Sequence, residues 1–185
     1  LAGSASALFL FLLQWVTVTR ESHVWLIALL PLAGFAVGWA YHAVGREAER
    51  GNDLLLDEIH DPKATVPLRM APLVLLGTLV THLFGGSAGR EGTAIQMGGS
   101  LADQLARPLG LGPEDRRSLL MAGISAGFGS VFGTPLAGAV FGMEVLTVGH
   151  LRTDAVLPCL VAAFTAHATA LAWGAHHTMY VLGPV

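Results

Sequence analysis

Glu91 stands between Arg90 and Gly92, inside the glycine-rich stretch GGSAGREGTAIQMGG that runs from Gly85 to Gly99. Glycines ahead of a helix free the backbone amides to point at a ligand. The segment TAIQMGGSLADQL, beginning at Thr93, supplies a helix for them to precede. A helix start carries roughly +0.5 of an elementary charge together with unsatisfied N–H donors, so it attracts anions. Ionised, Glu91 occupies that place as the protein's own anion. Protonated, it loses the electrostatic reason to stay. The chemistry expected of Gly89 to Thr93 is an anion site with a movable plug that also carries a proton. The alternative is a structural Glu91, ion-paired with Arg90 in a turn at a membrane interface. A membrane-embedded acid costs about 2.5–3.5 kcal/mol on insertion scales, so it needs a reason to be there.

The elements that would position this motif are membrane-competent helices. Hydrophobic residues make up 53% of the chain and charged residues 12%, with mean hydropathy +0.60, where a soluble domain is about 25% charged. Apolar runs cover 1–19, 24–44, 70–84, 94–105, 119–148 and 155–173, with Asp103 and Glu144 as the only Asp, Glu, Lys or Arg residues in them. About 20 apolar residues cross a bilayer as a helix, so 70–84 and 94–105 are short. Trp25, Trp39 and Tyr41 lie near the ends of the second run, like interface anchors. Gly133-Thr134-Pro135 breaks the run at 119–148, and PEDRRS at 113–118 resembles a helix start, with Pro113 in the first turn beside acids. Leu1 to Val18 reads as a membrane helix rather than a signal peptide, since a basic n-region and a cleavage site before Arg20 are both lacking. The start without Met and the end at YVLGPV read as a fragment of a longer protein.

Charge lies between the runs. Arg46, Arg50, Lys63 and Arg69 occupy 45–69, and Arg107, Arg116 and Arg117 occupy 107–117. Counted by Lys and Arg, with Asp and Glu weighing little, the positive-inside rule puts both segments in the cytoplasm and the Arg20–His23 turn outside. A second irregular stretch, RGNDLLLDEIH at 50–60, matches the glycine-rich one in being short, polar and interrupted. Irregular backbone survives at membrane depth only where protein buries it or a wet cavity borders it. Two such broken segments point to a transporter's substrate site. The net charge of −3 is small and says little about partners, and with no basic patch interleaved with aromatics nothing points to a nucleic-acid partner. Cys159, alone in an apolar run, reads as a small buried side chain. His176-His177 reads as an interfacial loop pair, since no HxxxH spacing or Cys/Asp cluster surrounds it. His82 reads as a hydrogen-bonded packing residue, with a proton relay as the alternative, and Gln96 as facing protein rather than lipid. No cofactor and no metal site is expected.

The stretch GREG-x-x-x-Q-x-G, followed by AGISAGFGSVFGTPLAGAVFGMEVL, resembles the first half of a chloride-channel-type (ClC) anion channel or antiporter. The likeness runs from about Arg20 to Trp173. It implies an all-α membrane protein of ClC-type fold with broken and re-entrant helices. Residues 1–185 would be the N-terminal half of the transport domain and the first of two inverted repeats. It also implies a multi-pass protein of the cell membrane and a homodimer with a separate pathway in each subunit. Apolar faces on 119–148 and 155–173 are compatible with a dimer interface.

Departures from the family pattern narrow the reading. Thr93 stands where the family usually has proline. Gly51-Asn52-Asp53-Leu54-Leu55 stands where chloride and nitrate transporters have a G-S/P-G-I-P loop. Asn52 matches the serine or proline that contacts the central anion. Both features, and the final WGAHHTMYVLG, resemble the fluoride/proton antiporter branch. The resemblance assigns anion binding to Gly51, Asn52, Arg90, Glu91, Gly92 and Thr93, and gating with proton coupling to Glu91. The Asn52 amide offers two donors to a small, strongly hydrated anion whose lost water must be replaced. The alternative, compatible with it, is that Asn52 caps a helix starting at Leu54. Where many family antiporters have two adjacent glutamates, this chain has Glu144-Val145, so Glu144 is either a buried structural acid or a proton-path residue.

Three functions compete. The first is fluoride export coupled to proton entry. The second is a chloride- or nitrate-selective ClC-type channel or antiporter. The third, an intramembrane enzyme using Glu91 or Glu144 with a histidine, is the weakest, because no nucleophile or metal-ligand spacing accompanies the acids; the chain is read as a transporter and not an enzyme. If transport is right, the helix starts in 50–60 and 85–105 must converge, with Asn52 and Glu91 on one cavity, because free N–H groups stranded in lipid cost several kcal/mol each.

Overall fold

The computed structural model describes residues 1–62, 65–144 and 153–175. Among them every regular element is helical: α1 (Ala2–Ser22), α2 (Leu30–Val44), α3 (Asn52–His60), α4 (Met70–Leu83), α5 (Arg90–Ala106), α6 (Pro113–Phe132), α7 (Pro135–Glu144) and α8 (Val156–Ala172). Short 3₁₀ turns at Val24–Leu29, Ala48–Arg50 and Thr153–Ala155 lead into α2, α3 and α8. Among the described residues three segments are long and apolar enough to cross a membrane, Ala2–Ser22, Val24–Val44 and Thr153–Ala172, and α4 is apolar but shorter. The expected break in 119–148 is present. Gly133 ends α6 at φ 71°, and Pro135 opens α7.

Two helix starts differ from expectation. α5 begins at Arg90, not near Ala94, after an extended Gly89 at φ −71° and ψ 137°. Arg and Glu are good helix formers, and an acid in the first turn complements the helix dipole. Glu91 is thus part of the helix rather than of the loop before it. α3 begins at Asn52, not Leu54, directly after Gly51. No side-chain cap is made there, so the expectation that Asn52 caps this helix is corrected.

α6 is the central element. Its residues from Leu120 to Val131 are buried almost without interruption, enclosed by α1, α5, α7 and α8. Glycine makes this possible. A Cβ on Gly123 would sit 2.6 Å from the carbonyl oxygen of Gly98, and one on Gly127 3.3 Å from the Gly98 Cα, so α5 and α6 touch through their backbones. Because Ala94 faces Gly127 and Ala102 faces Gly123, the two helices are antiparallel. α7 folds back along α6 in the same way: a Cβ on Gly138 would meet Gly129, and one on Gly142 would lie 2.8 Å from the Met121 carbonyl oxygen. With α6 inside, the outward apolar surface lies elsewhere, on α7 (Leu136, Val140), on α8 (Leu157, Val161, Phe164) and on nearly all of α2 (Leu32, Phe35, Trp39). Within the described part of 119–148, the expected apolar face is therefore reduced to α7.

One end of the bundle is closed by buried charge. Arg116, in the first turn of α6, donates from Nε to Asp103 Oδ1 at 2.6 Å and from Nη2 to Oδ2 at 2.9 Å. Its Nη1 reaches Glu58 Oε2 of α3 at 3.0 Å. Asp103 also accepts the backbone N–H of Val66 at 2.6 Å, and Gln104 Nε2 donates to the Val66 carbonyl at 2.8 Å. Arg117 Nη2 donates to the carbonyl of His60, the last residue of α3, at 2.7 Å. The Asp103 side chain is fully buried, and those of Glu58 and Arg116 are 7% and 14% exposed. Such a cluster contributes more to register than to net stability, but removing one member strands a buried charge. We predict that Arg116→Met lowers the stability of the detergent-solubilised protein by about 3–5 kcal/mol, read as a loss of monodisperse protein on heating. An unchanged melting profile would show that the cluster does not hold α3, α5 and α6 together.

Candidate functional site

The clamp at Arg116 fixes the direction of two helices at once. Glu58 lies six residues into α3 from Asn52, about 9 Å along the helix, and Asp103 lies seven residues beyond Gln96 in α5, about 10 Å along. At the other end of the same two segments, Gln96 Nε2 donates to Asn52 Oδ1 at 3.1 Å. Two contacts at matching heights make α3 and α5 parallel neighbours, with both N-termini at the same end. That end is opposite the charge clamp.

Each helix begins with free backbone donors. The N–H groups of Asn52, Asp53 and Leu54 in α3, and of Arg90, Glu91 and Gly92 in α5, precede the first i→i−4 bond, and neither helix has a side-chain cap. Gly51 takes φ 55° and ψ −126°, a conformation open to glycine alone. It turns the chain sharply out of the Ala48–Arg50 turn into α3. A Cβ there would approach Gln96 Nε2 at 3.2 Å, and one on Gly92 at 3.7 Å. The Gln96 carboxamide therefore lies between the two helix starts, walled by glycine on both sides.

The residues singled out from the sequence have different surroundings. Glu91 and Arg90 are both exposed, and no ion pair joins them among the described residues, so the alternative of an Arg90–Glu91 pair is not realised. Glu91 lies in the first turn of α5, beside that helix's own free N–H groups, where its charge is favoured. Thr93 is 1% exposed. Its hydroxyl is shared with Thr78 of α4 at 2.6 Å and bonds to the Gly89 carbonyl at 3.3 Å. Its side chain thus fastens α5 to α4, and an anion contact from that side chain is not what this placement provides. His82 Nδ1 donates to the Thr78 carbonyl at 2.9 Å, the hydrogen-bonded packing role expected of it.

Glu144 ends α7 and is exposed, which corrects the expectation of a buried structural acid. The last turn of α7 runs beside Met121, toward the clamp end of α6. Glu91 lies twelve residues before Asp103, about 18 Å up α5, so the two acids sit toward opposite ends of the bundle. Val145, Lys63 and the His176-His177 pair lie outside the described residues. Sequence reasoning missed two partnerships, Gln96 with Asn52 and Arg116 with Asp103 and Glu58. The available signal for the second was an aspartate in an otherwise apolar run, LADQL, with a double arginine at the next helix start.

Comparison with known proteins agrees with this architecture. The family model described as voltage gated chloride channel matches residues 33–184. A chloride/fluoride channel protein of Pseudomonas syringae pv. tomato is 64% identical over 185 residues, which is 100% of this chain and 41% of that protein. An H(+)/Cl(-) exchange transporter of Cronobacter sakazakii is 33% identical over 162 residues, covering 78% of this chain and 34% of that protein. The crystal structure of a CLC-type fluoride/proton antiporter superposes with TM-score 0.93 at 37% identity, covering 100% of this chain and 47% of that one. The chain spans less than half the length of these relatives.

The glycine at the turn into α3 yields a direct test of the site's construction. Gly51→Ala forces an L side chain into a conformation that costs about 1–3 kcal/mol and brings a methyl group against Gln96. We expect it to lower thermal stability and to weaken anion binding measured by calorimetry. Wild-type behaviour in both would mean that the turn at Gly51 adjusts freely.

Proposed function

The chain belongs to the voltage-gated chloride channel family, and from that membership we propose that residues 1–185 form the N-terminal half of a transport domain that exports fluoride in exchange for protons. The domain is a multi-pass one of the cell membrane, the first of two inverted repeats, and works as a homodimer. The observation that carries the fluoride reading is the Asn52 carboxamide at the start of α3, tied to α5 by its oxygen at 3.1 Å from Gln96 Nε2. With that oxygen engaged, the Asn52 NH2 group keeps two donors for another acceptor. Those donors lie at a helix start that already offers free N–H groups. Fluoride gives up strongly held water on entry, and good donors must replace it.

Glu91 gives the exchange its second half. Ionised, it occupies the anion position beside the α5 start. Protonated, it withdraws and an anion takes its place. Each cycle of that competition moves an anion one way and a proton the other, without any covalent step. Glu144, toward the opposite end of the bundle, is a second proton station. The family relationship gives no support to an intramembrane enzyme. The second reading, a chloride-selective exchanger, draws on the 33% identity to an H(+)/Cl(-) exchange transporter. Asn52 in the chain's own sequence favours fluoride.

Two outcomes test these roles in the transporter reconstituted into liposomes. Glu91→Gln removes both the titratable proton and the competing charge. Fluoride efflux is expected to continue or accelerate while proton influx stops, as read by a fluoride electrode and a pH electrode together. Proton movement still locked to fluoride would remove Glu91 from the mechanism. Asn52→Ser replaces two amide donors with one hydroxyl donor. The preference for fluoride over chloride is expected to fall roughly tenfold, the equivalent of about 1.4 kcal/mol or one net hydrogen bond. An unchanged flux ratio would leave Asn52 no part in selectivity.

A further inference from the structure

We propose that Gln96 is a positioning residue that sets which edge of the Asn52 carboxamide faces the transported anion. The inference rests on the fluoride reading above for the identity of that anion. A carboxamide is a two-faced group: its NH2 edge binds an anion and its oxygen edge repels one. Asn52 is exposed at the start of α3, where nothing in its own helix selects one edge over the other. A single hydrogen bond makes the selection, from Gln96 Nε2 to Asn52 Oδ1 at 3.1 Å, across 44 residues of sequence. Once the oxygen accepts from Gln96, the two Nδ2 hydrogens on the other edge are the ones left for an acceptor.

The surroundings keep Gln96 in that pose. Its Nε2 lies where a Cβ on Gly51 would come within 3.2 Å and one on Gly92 within 3.7 Å, so the glycines at both helix starts leave the space that the glutamine fills. Below it, Ile95 and Met97 are buried on either side in sequence, and the α5–α6 backbone contact at Gly98 fixes the height of the helix. The Arg116 cluster holds α3 at its far end through Glu58 at 3.0 Å. Gln96 therefore acts on the anion through Asn52. Its donor makes the site's polarity a property of the fold rather than of a freely turning side chain.

The test is a double-mutant comparison in reconstituted liposomes, with fluoride and chloride efflux measured separately. Gln96→Met removes the donor at similar length. It is expected to raise the fluoride KM and to lower the fluoride-over-chloride ratio roughly tenfold, with a smaller change in turnover at saturation. Gln96→Glu keeps the shape and accepts from Asn52 Nδ2, which turns the carboxamide over. It is expected to lose at least as much, and it serves as the readout if Gln96→Met does not fold. In an Asn52→Ser background the Gln96→Met effect should vanish and the Gln96→Glu effect should shrink to that of its added charge, because a hydroxyl proton rotates to suit its partner and needs no outside group to orient it. A ratio unchanged in both Gln96 variants, or an equal drop in the Asn52→Ser background, overturns the proposal. If the wild-type protein moves chloride in preference to fluoride, it is the fluoride reading that fails. The same comparison run on chloride flux then decides the Gln96 proposal, with coupling to Asn52 supporting it and additive losses refuting it.

Discussion

Unpaired backbone N–H groups at the starts of two helices, α3 and α5, set the terms for the rest of the structure. In hydrocarbon such groups must meet protein, water or a ligand. The chain gathers them instead of dispersing them. Parallel alignment brings both starts to one end, and the positive ends of two dipoles then repel one another unless negative charge lies between them. Glu91 lies in the first turn of α5, and in the proposed mechanism it supplies that charge until an anion replaces it. In the proposed mechanism the need to satisfy these backbone groups and the capacity to bind an anion have the same physical origin.

Holding two like helix ends together needs restraint elsewhere, and the restraint is placed at a distance from the site. Arg116 binds Asp103 of α5 with two donors and Glu58 of α3 with a third, while Arg117 closes the last carbonyl of α3. The charges that fix the helices thus lie about 10 Å from the groups that would meet an anion, too far to be a competing ligand. Between the two ends, the glycine contacts of α5 with α6 permit backbone-to-backbone approach. The same closeness leaves no slack for α5 to shift along α6. The selectivity proposed for Asn52 is consequently linked to packing at Gly98 through α5.

Much of this was legible in the chain itself. The apolar runs at 1–19, 24–44 and 155–173 correspond to the three described segments long enough to cross a membrane, the break at Gly133-Thr134-Pro135 fell where glycine and proline put it, and the GREG and GTPLAG motifs led to the family to which the chain belongs. Helix starts were less legible. Arg90 and Glu91 read as loop because they are charged and follow glycines, yet acids favour the first turn; Asn52 read as a cap, yet Gly51 already occupies the cap position. The side-chain partnerships were not legible, because no local rule connects Gln96 with Asn52 or Arg116 with Glu58 across tens of residues. Thr93 looked like a ligand from its place in the motif, and only the neighbouring α4 reveals that Thr78 engages its hydroxyl.

The central claim is that fluoride and the ionised Glu91 carboxylate compete for one position between the two helix starts. Linkage makes this measurable in the unmodified transporter: a ligand that displaces a carboxylate binds more tightly as that carboxylate becomes protonated. Fluoride affinity measured by calorimetry should rise as the pH is lowered, with protons taken up on binding in proportion to the slope. A fluoride affinity that stays constant with pH, and binding without proton uptake, would contradict the account.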